Sequence, residues 1–145
     1  MVFVVLGQNP PDDSKKDKKE PNVNSWVSWS EALKLAKQEK KPICILIQDP
    51  ECSGCQIFKE EFDASVTAQE LSSKFILASI KKTDAPNDLK QDGDYVPRVY
   101  FASPDGKILS VSNELGNPKR KFNYPNIRSL LVSMTNVIKL HDKKW

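Results

Sequence analysis

A chain of 145 residues that is 39% hydrophobic is long enough to bury the core of one domain and too short for two comfortable ones. Its 22 basic and 19 acidic residues leave a formal net charge of only +3, and acids interrupt the basic residues, which argues against nucleic-acid binding. No run approaches the roughly 18 apolar residues that span a bilayer, so we expect no membrane partner.

The first 25 residues are predicted to form a flexible, charged tail. Residues 8–24 carry three prolines and dense mixed charge with one apolar side chain, so no burial offsets the entropy that ordering them would cost. The apolar run before them, residues 2–6, lacks the basic region and the length of a complete secretory signal. It fits the remnant of a signal, an edge strand or the start of the tail. We therefore expect a domain over residues 26–145.

A helix and a buried strand open this predicted domain. Ser28 and Glu31 have the spacing of a capping box, and apolar residues then recur at helical intervals to near Lys40. The next run, Ile43 to Ile47, is almost wholly apolar, which is typical of a strand covered on both faces. The sequence thus predicts a helix followed by a central strand.

Further helices and a second strand follow. The residues after Cys52 return to a helical period, and Thr67 with Glu70 has capping-box spacing, which predicts a short helix through about Lys74. The apolar run at residues 75–82 predicts another buried strand.

A hairpin and a closing helix are predicted for the second half. After a polar loop at residues 83–95, the apolar segments 98–102 and 107–111 flank a Ser-Pro-Asp-Gly turn, which favours an antiparallel hairpin. The chain is then loop-like until a last amphipathic helix begins near Asn126. Strands that alternate with helices predict an α/β domain with a central mixed sheet.

The pattern Cys-Ser-Gly-Cys lies where the first buried strand gives way to a helix. At a helix N-terminus the unpaired backbone N–H groups and the helix dipole favour a thiolate, the form that attacks disulfides, so Cys52 is the candidate nucleophile. One turn further, Cys55 is placed to attack the mixed disulfide and release the substrate. On spacing alone, half of a metal site and a structural pair remain open alternatives.

Few other residues could complete a metal site. Tetrahedral zinc needs four ligands, and beyond the pair the sequence offers only Cys44, inside the predicted strand, and His141, on the last helix. For Cys44 the favoured interpretation is a small buried hydrophobe, and for His141 a solvated or core-flanking side chain. A Cys–His protease would need that same histidine. We expect no metal and no other cofactor.

Pro97 comes immediately before the strand at residues 98–102. A proline there either starts an edge strand or makes a cis peptide bond that fixes a tight turn. The residues themselves leave both alternatives open.

Together these elements resemble a known fold. The order of strand, C-x-x-C, helix, strand, a proline about 45 residues later, hairpin and final helix resembles the thioredoxin fold, in which a cis-proline loop faces the dithiol. Four segments are similar to the small thioredoxin-like proteins of the endoplasmic reticulum, the anterior-gradient and thioredoxin-domain-containing protein 12 group, over about residues 26–140. They are WVSWSEALKLAKQEKKP, ECSGCQIFKEEF, DGDYVPRVYFASPDGK and NPKRKFNY.

The resemblance implies a thiol–disulfide oxidoreductase in which Cys52 attacks, Cys55 resolves, and the Val96-Pro97 segment pairs with the substrate backbone. Its partners would be proteins or peptides with thiols or disulfides, and the chain would be a monomer or weak dimer. The implied location is the endoplasmic reticulum lumen or outside the cell, with the cytoplasm as the alternative, since the chain ends in His-Asp-Lys-Lys-Trp rather than a retention signal of the Lys-Asp-Glu-Leu type. The alternative function is a client-binding, chaperone-like module that does not cycle.

Several positions depart from the better-known members of this fold and are expected to modulate the chemistry. Glu51 stands where thioredoxins and isomerases usually have Trp, and an anionic neighbour disfavours a thiolate. Between the cysteines, Ser53 and Gly54 replace the proline of thioredoxin or the histidine of the isomerases. Leu46 occupies the place of a buried acid that relays protons to the second cysteine. We therefore expect resolution to be slow or to use another base.

Overall fold

The structure is a computed structural model that describes residues 26–144. The tail predicted for residues 1–25, including the apolar run at its start, lies outside the described residues. Within residues 26–144, no helix is both long and apolar enough to cross a membrane.

A four-stranded mixed sheet forms the centre of the domain. Its strands are β1 (Trp26–Val27), β2 (Ile43–Gln48), β3 (Ile76–Lys81) and β4 (Arg98–Ala102), in the order β1-β3-β2-β4. Strands β1 and β2 run parallel to β3, and β4 runs antiparallel to β2. Because β2 is an interior strand, five of its six residues are buried, as its continuous apolar run predicts.

Helices cover both faces of this sheet. They are α1 (Trp29–Glu39), α2 (Ser53–Ala64), α3 (Val66–Ser72) and α4 (Ile127–Lys144). Alternate side chains of β2 belong to two separate clusters, one containing residues of α1 and the other residues of α2, α3 and α4. This arrangement confirms the predicted α/β fold with helices on a central mixed sheet.

The caps of α1 agree with the sequence pattern. Ser28 has extended backbone angles, and its Oγ accepts a hydrogen bond from the N–H of Glu31 at 3.2 Å. At the other end, Lys40 adopts the left-handed conformation with φ 58°, which stops the helix before Pro42. The helix therefore delivers the chain directly into β2.

The cap predicted at Thr67 is wrong. Ser65 is the N-cap of α3, and its Oγ accepts a hydrogen bond from the N–H of Ala68 at 3.1 Å, whereas Thr67 lies inside the helix. Ser65 also ends α2, so the two helices meet at a single extended residue. A capping box needs Glu or Gln at the third helical position, and Ala68 stands there, so the pattern did not reveal this junction.

Replacing Ser65 by Ala is expected to lower the free energy of unfolding by about 1 kcal/mol, because the N–H of Ala68 loses its acceptor. Chemical denaturation at equilibrium measures this loss. The matched variant Thr67→Ala removes no cap and should change the free energy by less than about 0.5 kcal/mol. Equal losses for the two variants would contradict the assignment of the cap.

The prediction that residues 107–111 form the second strand of a hairpin is also wrong. The Ser-Pro-Asp-Gly turn forms, but of residues 107–111 only Ile108 makes a bridge to β4. Nearer the start of β4, a different segment hydrogen-bonds to the outer edge of the strand: the N–H of Val99 donates to the carbonyl of Phe122 at 2.8 Å. The segment around Phe122 thus takes the place at which the predicted strand would have continued.

The loop predicted at residues 83–95 is more ordered than its polarity suggests. It contains two short 3-10 turns, Lys82–Asp84 and Asn87–Leu89, and the side chain of Leu89 is fully buried in the core. The carbonyl of Leu89 also accepts hydrogen bonds from the side chain of Arg98, which links this loop to the start of β4. The second predicted loop, before Asn126, does lack regular structure.

Candidate active site

The two cysteines lie at the start of α2. Cys52 is the N-cap residue, with extended φ −89° and ψ 111°, and its Sγ accepts a hydrogen bond from the backbone N–H of Cys55 at 3.0 Å. A disulfide joins the two residues, whose Cα atoms are 5.2 Å apart. The structure therefore places Cys52 at the N-terminus of a helix, as the sequence predicts.

The two cysteines differ in accessibility. Cys52 is half-buried, whereas Cys55 is 3% exposed and packs within the core side of α2. A thiol that attacks a client disulfide has to be reached by a large partner, while a resolving thiol has to reach only its neighbour. The asymmetry fits the predicted order of attack.

The start of α2 and the acidic residues beside it act on a Cys52 thiolate in opposite directions. The first turn of α2 holds no acidic residue, and the helix dipole and the N–H of Cys55 both favour a thiolate at Cys52. Glu51 is exposed, so solvent weakens the effect of its charge on Cys52, and its backbone N–H donates to Oδ1 of Asp49 at 3.0 Å. Glu60 stands about 12 Å further along the helix axis, beyond a Debye length of about 8 Å.

A cis-proline faces the dithiol. The Val96-Pro97 peptide bond is cis, which is one of the two alternatives that the sequence left open. A Cβ built on Gly54 would lie 3.7 Å from Cδ of Pro97 and 3.9 Å from Sγ of Cys52. Gly54 therefore separates the proline ring from Sγ of Cys52 by the width of one small residue.

Val96 lies just outside the sheet ladder, whose last pair joins Arg98 to Ile47. Among residues 26–144, no hydrogen bond involves the backbone N–H or carbonyl of Val96. An extended peptide could therefore pair with both groups beside the dithiol. Its side chain packs against the core cluster on the α1 face, which fixes the position of this residue.

The sequence analysis missed the residues that hold this loop. Arg98 is fully buried and its guanidinium donates to the carbonyls of Leu89 and Tyr95, while Nδ2 of Asn123 donates to the carbonyl of Pro97 at 3.1 Å. A charged residue at the start of an otherwise apolar strand was the available signal for Arg98, since a buried charge needs partners. No local pattern marks Asn123, which lies 26 positions from Pro97.

The third cysteine takes no part in this site. Cys44 is fully buried in β2, and burial raises the pKa of its thiol to about 12, so it stays protonated at neutral pH. This confirms the predicted small buried hydrophobe. Leu46, also fully buried, packs in the same cluster as Phe58 of α2, so an apolar side chain fills the place of the acid. Within residues 26–144, no group of three or more His, Cys, Asp or Glu is placed to hold a metal ion.

Comparisons with known proteins agree with this geometry. A family model described as thioredoxin-like matches residues 25–104. Anterior gradient protein 3 of Mus musculus is 24% identical over 97% of this chain and 92% of its own length, and that of Xenopus tropicalis is 29% identical over 80% and 73%.

Two solved structures show the same fold. The disulphide isomerase from Xylella fastidiosa Temecula1 superposes with a TM-score of 0.55 at 19% identity, covering 75% of this chain and 87% of that one. The J-Trx1 fragment of ERdj5 gives 0.54 at 12% identity, covering 81% and 53%. The cysteine pair at C-x-x-C spacing and the matched family both fit a thiol–disulfide role. The chain, which is similar to the anterior-gradient proteins, belongs to the thioredoxin-like family.

Proposed function

We propose that the protein is a thiol–disulfide oxidoreductase that acts on protein disulfides through Cys52 and Cys55. One observation carries the proposal: Cys52 is half-buried and caps α2 with its Sγ, which lies one small residue away from a cis-proline loop in which the backbone groups of Val96 make no hydrogen bond within the described residues. The first feature favours the attacking thiolate, and the second offers a place for an extended client.

The reaction consists of two exchanges. The Cys52 thiolate attacks one sulfur of a client disulfide, so that a mixed disulfide forms and the other client sulfur leaves as a thiolate. The Cys55 thiolate then attacks Sγ of Cys52, which releases the second client sulfur as a thiolate and closes the Cys52–Cys55 disulfide. The client gains two electrons and the protein loses two, and a small thiol reductant restores the dithiol.

The second exchange has to proceed without a buried acid. Cys55 is almost fully buried, and the side chain below the active site is that of Leu46. The Cys55 thiol must therefore give its proton to water, to the departing client thiolate or to a surface base. We expect this exchange to be the slower one.

The direction of net electron flow follows from the reduction potential of the pair. A value near the roughly −180 mV of protein disulfide isomerase would make the protein an oxidant or isomerase, and one near the roughly −270 mV of thioredoxin a reductant. Equilibration with glutathione buffers, read by mass after trapping the thiols, gives this potential.

Similarity to the anterior-gradient proteins supports the endoplasmic reticulum lumen or the outside of the cell as the place of action. We propose protein or peptide clients there and a chain that is a monomer or weak dimer. Immunolocalisation against a lumenal marker tests the first point, and sedimentation tests the second. A purely cytoplasmic signal would overturn the proposed location.

Catalysed reduction of insulin tests the proposed function. The parent protein should accelerate the reaction, the double variant Cys52→Ser, Cys55→Ser should fall to the uncatalysed rate, and Cys44→Ala should stay active because that thiol is buried and protonated. A parent that does not accelerate the reaction would overturn the proposal. If the parent only binds clients, and the double variant binds them equally well, the protein is instead a module that does not cycle.

A further inference from the structure

We propose that Arg98 and Asn123 are positioning residues that fix the register of the client. By occupying the carbonyls on either side of Val96, they leave it as the only residue from Tyr95 to Pro97 with both backbone groups unpaired within the described residues. The kinetic consequence rests on the proposed function.

Arg98 holds the first side of the segment. Its Nε and Nη2 donate to the carbonyl of Leu89 at 3.3 and 3.0 Å, and its Nη1 donates to the carbonyl of Tyr95. The side chain is fully buried, so these carbonyls compensate for the loss of water around the charge. The carboxylate of Asp94, 3.8 Å from Nη1, is 64% exposed and adds little.

Asn123 holds the second side. Its Nδ2 donates to the carbonyl of Pro97 at 3.1 Å, and a proline has no N–H to offer a client. The backbone of Asn123 is itself fixed, because its N–H donates to the carbonyl of Arg120 and its carbonyl accepts from Nδ2 of Asn113. The side-chain amide of Asn123, which donates to the carbonyl of Pro97, is thus held in position by hydrogen bonds within the segment that precedes α4.

Tyr95 joins the two sides into one unit. Its hydroxyl donates to Oδ1 of Asp92 at 2.7 Å and accepts from the N–H of Phe122 at 3.1 Å. The second oxygen of Asp92 accepts from the N–H of Lys121 at 2.8 Å. The cis-proline loop and the segment that carries Asn123 are therefore locked together at neighbouring residues.

This arrangement limits how a client can bind. A peptide strand that pairs at Val96 finds a free N–H and a free carbonyl. A strand shifted by one residue finds a carbonyl with only one lone pair left to accept a hydrogen bond, and at Pro97 it finds no N–H at all. The register that pairs at Val96 thus makes the most backbone hydrogen bonds, and it is the one in which the client disulfide is presented to Cys52.

The test compares two substrates in the same variant. Insulin presents a backbone, whereas hydroxyethyl disulfide has none, so the ratio of their kcat/KM values cancels any loss of folded protein. We expect Asn123→Ala to lower the preference for insulin about 3- to 10-fold, mainly through KM, as the loss of one ordering hydrogen bond implies. Arg98→Lys, which keeps the charge but not the planar fork, should lower it in the same direction.

Asn117→Ala is the matched control. Asn117 lies in the same connection, but within residues 26–144 its Oδ1 accepts only from the N–H of Lys119 and makes no hydrogen bond to the cis-proline loop. Its substitution should leave the substrate ratio as in the parent. An unchanged ratio in Asn123→Ala, or an equal fall in the control, would overturn the inference.

A binding measurement separates this inference from the proposed function. In the Cys52→Ser, Cys55→Ser background, the probe is fluorescein-labelled, S-carboxymethylated insulin B chain, followed by fluorescence polarisation. If the parent proves redox-inactive, a 3- to 10-fold weaker affinity after Asn123→Ala still supports the positioning role. No binding by the background, or no change with Asn123→Ala, overturns that role even if the parent reduces insulin.

Discussion

Cys52→Ser is expected to abolish the reduction of insulin, whereas Cys55→Ser is expected to stop the reaction at a covalent complex with the client. The first variant lacks the accessible sulfur at the helix N-terminus, and the buried Cys55 is out of reach of a client. The second variant still attacks but has no neighbouring thiol to release the product. Non-reducing electrophoresis after thiol trapping, followed by mass spectrometry, detects the complex.

The two single variants should therefore give different products: Cys55→Ser a mixed disulfide with the client, and Cys52→Ser none. Combining Cys55→Ser with Cys44→Ala should leave the complex intact, because the buried Cys44 is not the sulfur that holds the client. A complex that forms equally well with Cys52→Ser would reverse the order of attack. The absence of any complex with Cys55→Ser would mean that Cys52 does not attack protein disulfides.

Phe62→Ala is expected to lower the free energy of unfolding by about 3 to 5 kcal/mol. Phe62 is fully buried near the end of α2, and its ring centroid lies 5.2 Å from that of Trp26 in β1 and 6.2 Å from that of Phe58. Removing the ring leaves a cavity between the helix and the sheet edge. Urea denaturation with an unchanged dependence on denaturant measures the loss.

Ile57→Ala on the same helix is the control for this loss. Ile57 is 54% exposed, so the truncation should change the free energy by less than about 0.5 kcal/mol. Similar losses for the two variants would show that α2 is not held on the sheet through Phe62. Because Cys52 caps the other end of α2, the same packing also helps to position its Sγ.

The parts of the fold that could be predicted are those with local signals. The apolar run of β2, the cap at Ser28 and the Cys52 helix start each depend on residues within a few positions of one another. The isomer of Pro97 could not be chosen from the residues alone, because an edge strand and a cis turn begin with the same pattern. The resemblance to the thioredoxin fold supplied that choice.

The parts that could not be predicted depend on distant contacts. The second hairpin strand was predicted wrongly because the carbonyl of Phe122, far along the chain, accepts the hydrogen bond from Val99 at the edge of β4. Asn123 was missed because its partner, Pro97, is 26 positions away. Hydrogen bonds between such distant residues form only once the chain has folded, and no periodic pattern in the sequence indicates them.

The burial of Cys44 affects which thiols can take part in the thiol–disulfide exchange proposed for this chain. With three cysteines in the sequence, one sulfur is always left over when a pair closes. A leftover thiol at the surface could capture clients in dead-end crosslinks or join two copies of the chain. Because Cys44 is enclosed and protonated in β2, the folded chain presents no third thiol beside the Cys52–Cys55 pair.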